Sequence, residues 1–148
     1  SGFFFFLINY HRMTLDSLNM ELKIISLLTS SVNIKAIYLY GSAITEYFNE
    51  ESDIDIAILL DKKIDFSALF ELQVLLSKEM NKDIDLVQLD TVSTVLQMQV
   101  IQSGKRIFCN DVFYCNKYES QIFSEYVELN EMRKSYLKKK KKTGKVLS

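Results

Sequence analysis

The stretch YGSAITEYFNEESDIDIAILL, residues 40–60, joins a Gly-Ser turn to an apolar segment that begins with two aspartates. Its end is almost continuously apolar, which predicts a central strand covered on both faces. Asp53 and Asp55 are two positions apart, and side chains alternate along a strand, so both are expected on one face. Two carboxylates this close repel each other. We therefore expect either a raised pKa for one of them or a solvated start of the strand.

Strands and helices alternate through the rest of the chain. β-branched and aromatic residues indicate three more extended segments: IKAIYLY (34–40), DIDLVQL (83–89) and KRIFC (105–109). Apolar residues recur with a helical period in four segments: 13–31, 66–80, 91–104 and, as one or two helices, 112–142. This order predicts a small α/β (α+β) domain, with a sheet flanked by helices and a helical C-terminus.

Two local features make this prediction more specific. In the first helix, Leu18, Leu22, Ile25 and Leu28 share the spacing of an amphipathic face, which predicts that they point into the core. Gly104 follows the apolar period of the third helix, so it is a candidate for the C-cap of that helix.

The charge of the chain is unevenly distributed. With 148 residues, 18 Lys or Arg and 19 Asp or Glu, the chain has the size of one domain and a net charge of −1. Eight of the basic residues lie in residues 133–148, which contain no acid, so the preceding part has 10 basic and 19 acidic residues, a net charge of −9. An acidic body disfavours direct binding of nucleic acid, and a bound polyphosphate would need cations as a bridge.

Histidine and cysteine are scarce, which excludes several kinds of site. The one histidine, His11, lies near the N-terminus, so serine–histidine hydrolases and histidine-rich metal sites are disfavoured. Cys109 and Cys115 fit no metal motif. Two cysteines without an export signal predict free thiols and a cytoplasmic protein.

The chain is expected to divide into three parts. The segment SGFFFFLINYHR (1–12) has an apolar run of six residues, too short for a membrane span or a signal sequence. We interpret it as an N-terminal extension or a remnant of cloning. The domain, including the C-terminal helix, is expected at 13–142, and 143–148 form a tail.

A Gly-Ser turn and a third acid add to the aspartate pair. Gly41 and Ser42 follow a strand, and Ser42 can cap a helix whose first backbone N–H groups face a phosphate. The strand at 83–89 brings Asp85 beside Asp53 and Asp55. Three carboxylates next to a phosphate site match the needs of phosphoryl or nucleotidyl transfer with two Mg²⁺ ions. The simpler interpretation, solvated strand ends and an ordinary turn, stays open.

The spacing of these residues resembles a known family. Gly41-Ser42, ten residues, then Asp53-Ile54-Asp55 is similar to the G-S-x10-D-x-D signature of nucleotidyltransferases that resemble the palm of polymerase β. The stretch DIDLVQLDTVSTVLQMQVIQSGKRIF, residues 83–108, resembles the minimal nucleotidyltransferase (MNT) antitoxins that pair with HEPN toxins. The segment YESQIFSEYVELNEMRKSYL, residues 118–137, is similar to their C-terminal helix.

The resemblance implies a role for each site residue. Gly41 and Ser42 would hold the triphosphate of ATP, Asp53 and Asp55 would bind Mg²⁺, and Asp85 would help to bind the catalytic ion and deprotonate the attacking hydroxyl. Asp83 shares a face with Asp85 and stays open as the third acid. The implied reaction is in-line transfer of AMP (AMPylation) to a hydroxyl with release of pyrophosphate.

One position departs from the family pattern, and it leaves alternatives for the function. Many relatives have a glycine soon after the Gly-Ser pair, where this sequence has Glu46. A negative charge near the phosphates would weaken nucleotide binding. The expected function is an AMP-transferring antitoxin that modifies a tyrosine of a HEPN ribonuclease. The alternatives are an antitoxin that neutralises by binding only, or a nucleotidyltransferase that acts on a small molecule.

The C-terminal segment has two features that bear on partners. Ile122, Tyr126 and Leu129 form an apolar stripe that packs either on the domain or, as the resemblance implies, against a toxin. The Lys-rich end, Lys138 to Lys142, is interpreted as a solvated helix end with cations at its C-terminus.

Overall fold

The computed structural model describes residues 2–41 and 53–147, with side chains outside 4–14 and 143–147. Helices and strands alternate along the chain, as the sequence predicts. The elements are α1 (Gly2–Ser31), β1 (Ile34–Tyr40), β2 (Ile54–Leu60), α2 (Phe66–Met80), β3 (Ile84–Gln88), a 3₁₀ turn (Leu89–Thr91), α3 (Thr94–Ser103), β4 (Lys105–Cys109) and α4 (Val112–Leu147).

The four strands form one mixed sheet in the order β3-β2-β1-β4. β1 is antiparallel to both of its neighbours, whereas β2 and β3 are parallel. The parallel pair is joined by α2, because parallel strands need a crossover connection. The two central strands are buried at six of their seven positions, as predicted for β2.

The helices cover the two faces of the sheet with separate apolar layers. One layer joins the sheet to α1 and α2, through residues such as Ile24, Leu28 and Leu76. The other joins the opposite face to α3 and α4, through residues such as Val100 and Ile122. The prediction of a sheet flanked by helices is confirmed.

The predicted inner face of α1 is partly wrong. Leu28 is buried and Ile25 is partly buried against the core, but Leu18 and Leu22 are 48% and 55% exposed. The reason is that α1 has two apolar stripes about a third of a turn apart. The sheet buries the stripe that contains Ile24 and Leu28, and the other stripe faces outward.

Side-chain and backbone caps fix the ends of α2 and α3. The backbone N–H of Ala68 donates to Asp65 Oδ1 at 2.8 Å at the start of α2, and Ser93 caps α3 in the same way. Gly104 is the C-cap of α3, as predicted, and its N–H donates to the carbonyl of Val100 at 2.9 Å. A Cβ on Gly104 would collide with the carbonyl oxygen of Val100 at the end of the helix and would lie 2.8 Å from that of Leu39 on β1, so both close contacts require the glycine.

The two terminal helices extend across the predicted domain boundaries. α1 begins at Gly2 and passes residue 13 without a break, and α4 passes residue 142. Where the domain begins and ends therefore stays a prediction. Among residues 2–41 and 53–147, no helix combines the length and apolarity that crossing a membrane requires.

The C-terminal helix is attached to the sheet by apolar and polar contacts. Ile122 is buried and Tyr126 is partly buried in the core, so this part of the predicted stripe packs on the domain. The buried Tyr38 hydroxyl donates to Glu119 Oε1 at 2.9 Å, and Arg106 Nη1 donates to Glu119 Oε2 at 3.0 Å. Burial, with Glu119 adding to it, raises the pKa of Tyr38, so the hydroxyl stays protonated and able to donate.

Tyr38→Phe tests this attachment. We expect the substitution to lower the free energy of unfolding by about 1.5–3 kcal/mol, because a half-buried carboxylate loses a charge-assisted hydrogen bond. Urea unfolding followed by circular dichroism measures the change. The control is Tyr136→Phe, which removes a hydroxyl from an exposed tyrosine on α4, the helix that holds Glu119. Equal stability of the two variants would contradict the proposed attachment.

Candidate active site

Asp55 and Asp85 lie side by side at one end of the sheet. In the parallel β2–β3 pair, Asp55 is the register partner of Asp85. Neighbouring strands are about 4.8 Å apart, so residues paired in this way place their side chains next to each other. Asp55 alternates with the buried residues Ala57 and Leu59, which puts it on the face of the sheet that α3 and α4 cover further along.

Asp53 and Asp83 precede the two strands. Both are exposed, and the backbone N–H of Ile54 donates to the carbonyl of Asp83 at 2.9 Å, so the pairing of the strands continues to these residues. Asp53 is the residue just before β2, and it lies near enough to Asp55 for its charge to raise the pKa of Asp55. The structure thus brings together the three predicted acids, Asp53, Asp55 and Asp85.

The electrostatics distinguish the acids from one another. Burial raises the pKa of Asp55, and the charges of Asp85 and then Asp53 raise it further. Asp83 is not among these causes. A raised pKa was one of the two outcomes expected for the aspartate pair. It means that ionising these carboxylates together costs free energy when no cation is bound.

Gly41 places the backbone directly against the Asp55 carboxylate. It has φ +68°, a conformation that L side chains rarely adopt, and a Cβ at this position would collide with Asp55 Oδ2. Glycine is therefore required here for its conformation and for the close approach. Ser42 and Glu46 lie outside the described residues, so their predicted effects stay predictions.

Tyr40 is a member of the site that the sequence did not single out. It is the register partner of Asp55 on β1, so Tyr40, Asp55 and Asp85 form one row across three strands. Its side chain is 7% exposed. Burial, then Asp55 and Asp85, raises the pKa of Tyr40 to about 12, so it is a protonated phenol at neutral pH. Alternation from the core residue Tyr38 was the signal that could have placed it on this face.

The acids do not form a closed metal cage by themselves. In the described part of the chain, no group of three or more His, Cys, Asp or Glu side chains has the arrangement of a preformed metal site. The two cysteines are free thiols there, with Cys115 buried and Cys109 partly buried. The site instead offers the carboxylate oxygens of Asp53, Asp55 and Asp85 at one end of the sheet, where Asp53 and Asp85 are exposed.

Comparison with known proteins identifies the family. Residues 22–113 match the family described as Polymerase beta, Nucleotidyltransferase. Over 89 residues the chain is 40% identical to protein adenylyltransferase MntA of Shewanella oneidensis, an alignment that covers 60% of this chain and 64% of that protein. The chain thus spans less than two thirds of the length of this curated relative.

Solved structures show the same fold. One chain of a toxin–antitoxin crystal structure with AMP-PNP superposes with a TM-score of 0.72 at 34% identity, covering 79% of this chain and 94% of that one. A structure of the tri-AMPylated Shewanella oneidensis HEPN toxin in complex with MNT antitoxin matches with a TM-score of 0.70 at 33% identity, covering 82% and 95%. The predicted polymerase-β-like fold with a C-terminal helix is confirmed. The chain belongs to the polymerase β nucleotidyltransferase family and, within it, to the MNT antitoxins.

Proposed function

We propose that this protein transfers AMP from ATP to a tyrosine hydroxyl of a cognate HEPN ribonuclease toxin and thereby acts as its antitoxin. The observation that carries the proposal is the register pairing of Asp55 with Asp85 next to the backbone of Gly41. The names of the relatives support it, because one is a protein adenylyltransferase and another is an MNT antitoxin in complex with an AMPylated HEPN toxin.

The chemistry of the acids fits Mg²⁺. Burial, and then the charges of Asp85 and Asp53, raise the pKa of Asp55, and a divalent cation held by Asp53, Asp55 and Asp85 would offset the repulsion among these charges. Mg²⁺ takes carboxylate oxygens and usually completes its shell with water and substrate phosphates, so an open row of acids suits it better than a closed cage. When bound, two such ions would neutralise charge on the phosphates and on the attacking and leaving oxygens.

Asp85 is the better candidate for the third acid and proton acceptor. It is the register partner of Asp55 and raises its pKa, whereas Asp83 does neither. In the proposed step the acceptor hydroxyl gives its proton to the Asp85 carboxylate, its oxygen bonds to the α-phosphorus, and the bond to the β-phosphate breaks with release of pyrophosphate. Tyr40 stays protonated beside this pair and does not compete as a base.

The triphosphate would lie along the turn after β1. The Asp55 carboxylate fills the space that a Gly41 side chain would occupy, so the backbone of this turn and the proposed metal ligand lie side by side. Ser42 is proposed to donate to the triphosphate from its hydroxyl and backbone N–H. We also propose a cytoplasmic location, since the thiols of Cys109 and Cys115 are free and a reducing compartment keeps them so.

Calorimetric titration of ATP tests the site directly. We expect ATP to bind only with Mg²⁺, and Asp53→Asn combined with Asp55→Asn to abolish that binding. The matched control is Asp61→Asn, which removes a carboxylate just beyond the other end of β2, where Asp61 lies 3.9 Å from Lys35 Nζ. Binding that does not depend on Mg²⁺, or that the double variant retains, would overturn the assignment of the site.

The same double variant separates the two kinds of antitoxin. If it still neutralises the ribonuclease while AMP transfer is lost, the protein neutralises by binding alone. If neutralisation is lost along with transfer, AMPylation is the cause of neutralisation.

A further inference from the structure

Tyr40 brings a hydrogen-bond donor to the row that it forms with Asp55 and Asp85 across three strands. A charged carboxylate can only accept hydrogen bonds, whereas a phenol can donate one. The phenol of Tyr40 is protonated at neutral pH, because its pKa is raised to about 12. The row therefore combines two proposed metal ligands with one neutral donor.

The ring of Tyr40 is fixed, whereas its hydroxyl is available at the site. The side chain is 7% exposed and belongs to the apolar layer under α3 and α4, so the ring has little freedom. Two residues earlier in the same layer, the Tyr38 hydroxyl donates to Glu119. Among the described side chains, Tyr40 has no such acceptor, and no buried polar atom there lacks a partner. The Tyr40 hydroxyl therefore lies at the surface of the site, where it can donate to a ligand.

The length of the tyrosine side chain places this donor beyond the carboxylates. Tyr40 and Asp55 are register partners on neighbouring strands, which lie about 4.8 Å apart, and both side chains leave the same face of the sheet. A phenol extends farther from the backbone than a carboxylate does. The hydroxyl is therefore beside Asp55 and farther from the sheet than its oxygens. Mg²⁺ held by carboxylates fills its other positions with water and substrate phosphates, so phosphates are also expected on this outer side.

We propose that the Tyr40 hydroxyl donates a hydrogen bond to a phosphate oxygen of bound ATP. This inference rests on the proposed function, which places the triphosphate next to these acids, and it adds a phosphate contact outside the Gly-Ser turn. Asp55 and Asp85 are the other acceptors nearby, but the proposed ions occupy them when ATP is bound. Phosphate oxygens carry negative charge, which makes them strong acceptors for a neutral donor.

Tyr40→Phe tests this contact, because it removes the hydroxyl and keeps the buried ring. At saturating Mg²⁺, calorimetric titration should show that the dissociation constant for ATP rises roughly tenfold or more, the loss expected for a hydrogen bond to a charged group. The melting temperature should be unchanged, since no described side chain accepts a hydrogen bond from this hydroxyl.

Tyr38→Phe is the matched control, because it removes a hydroxyl from the same face of the same strand. This variant should lose stability, since the Tyr38 hydroxyl donates to Glu119, and it should bind ATP as tightly as the unchanged protein. The two variants are thus expected to show opposite patterns of stability and affinity. If both weaken ATP binding equally, the effect is structural and the inference is overturned.

The dependence on Mg²⁺ separates a contact with phosphate from an effect on the metal ligands. The weaker binding of ATP by Tyr40→Phe should persist when Mg²⁺ is saturating. A loss that saturating Mg²⁺ abolishes would mean that Tyr40 acts through Asp55, and it would overturn the inference, as would an unchanged dissociation constant. In both of these cases the proposed function stands. If the unchanged protein does not bind ATP at all, the proposed function fails and this inference fails with it.

Discussion

Asp55→Asn is expected to lower AMP transfer on the order of 10³-fold while making the ion-free protein more stable. Asn has nearly the same shape as Asp, but it lacks the charge that the proposed ion and the triphosphate need. Without the ion the same charge destabilises the folded protein, because Asp55 is partly buried and because Asp85 and Asp53 repel its charge. Transfer of labelled AMP from ATP to the HEPN toxin measures the first effect.

The second effect has a defined dependence on pH. A carboxyl whose pKa is raised on folding favours the folded state most at low pH, and that contribution is lost as the pH rises through the folded pKa. The unchanged protein should therefore lose stability relative to Asp55→Asn as the pH rises above about 4, the ordinary pKa of an aspartate. Melting temperatures across this range, with Asp61→Asn as the control, measure the difference. A variant that is less stable at neutral pH would contradict the repulsion among the acids.

The sheet could be predicted from sequence because its strands have unambiguous patterns. β1 was predicted at residues 34–40 and is found there, since the segment is β-branched and aromatic and ends at Gly41. β2 was predicted from a nearly continuous apolar run, which suits a doubly covered strand, and both of its faces are buried. Alternation then placed Asp53 and Asp55 on one face without any knowledge of the neighbouring strand.

Features that depend on pairing between elements could not be predicted in this way. Asp83 and Asp85 share a face of β3, so periodicity cannot choose between them, whereas the register with β2 pairs Asp85 with Asp55. Tyr40 was missed for the same reason, because its row with Asp55 exists only once β1 and β2 are aligned.

The inner face of α1 shows a related limit. Two apolar stripes satisfy the same helical period, and only the position of the sheet decides that Ile24 is buried while Leu22 is exposed. In each of these cases the local sequence pattern is correct, but it is compatible with more than one choice of the side chains that face the core or the site. The choice is made by the tertiary contacts.

Gly41→Ala is expected to lower AMP transfer by about 10²-fold or more, because it displaces the Asp55 carboxylate. The residue has φ +68°, which costs a non-glycine residue about 1–2 kcal/mol, and the new Cβ would occupy the space of Asp55 Oδ2. The strained backbone and the collision with Asp55 are detected by different measurements, stability for the first and AMP transfer for the second. Strain lowers stability, whereas the collision moves a side chain that the proposed reaction needs.

Asn81→Ala is the control that separates these two effects. Asn81, at the C-terminus of α2, is the non-glycine residue with a positive φ, 52°, in the described part of the chain. Alanine tolerates this conformation less well than asparagine, so the substitution also adds backbone strain, at a position outside Asp53, Asp55 and Asp85. Both variants should therefore lower the melting temperature by a few degrees, but only Gly41→Ala should lower AMP transfer and Mg²⁺-dependent binding of ATP. If Gly41→Ala keeps full activity despite its lower stability, the backbone at Gly41 does not set the position of Asp55, and the contact between them is structural only.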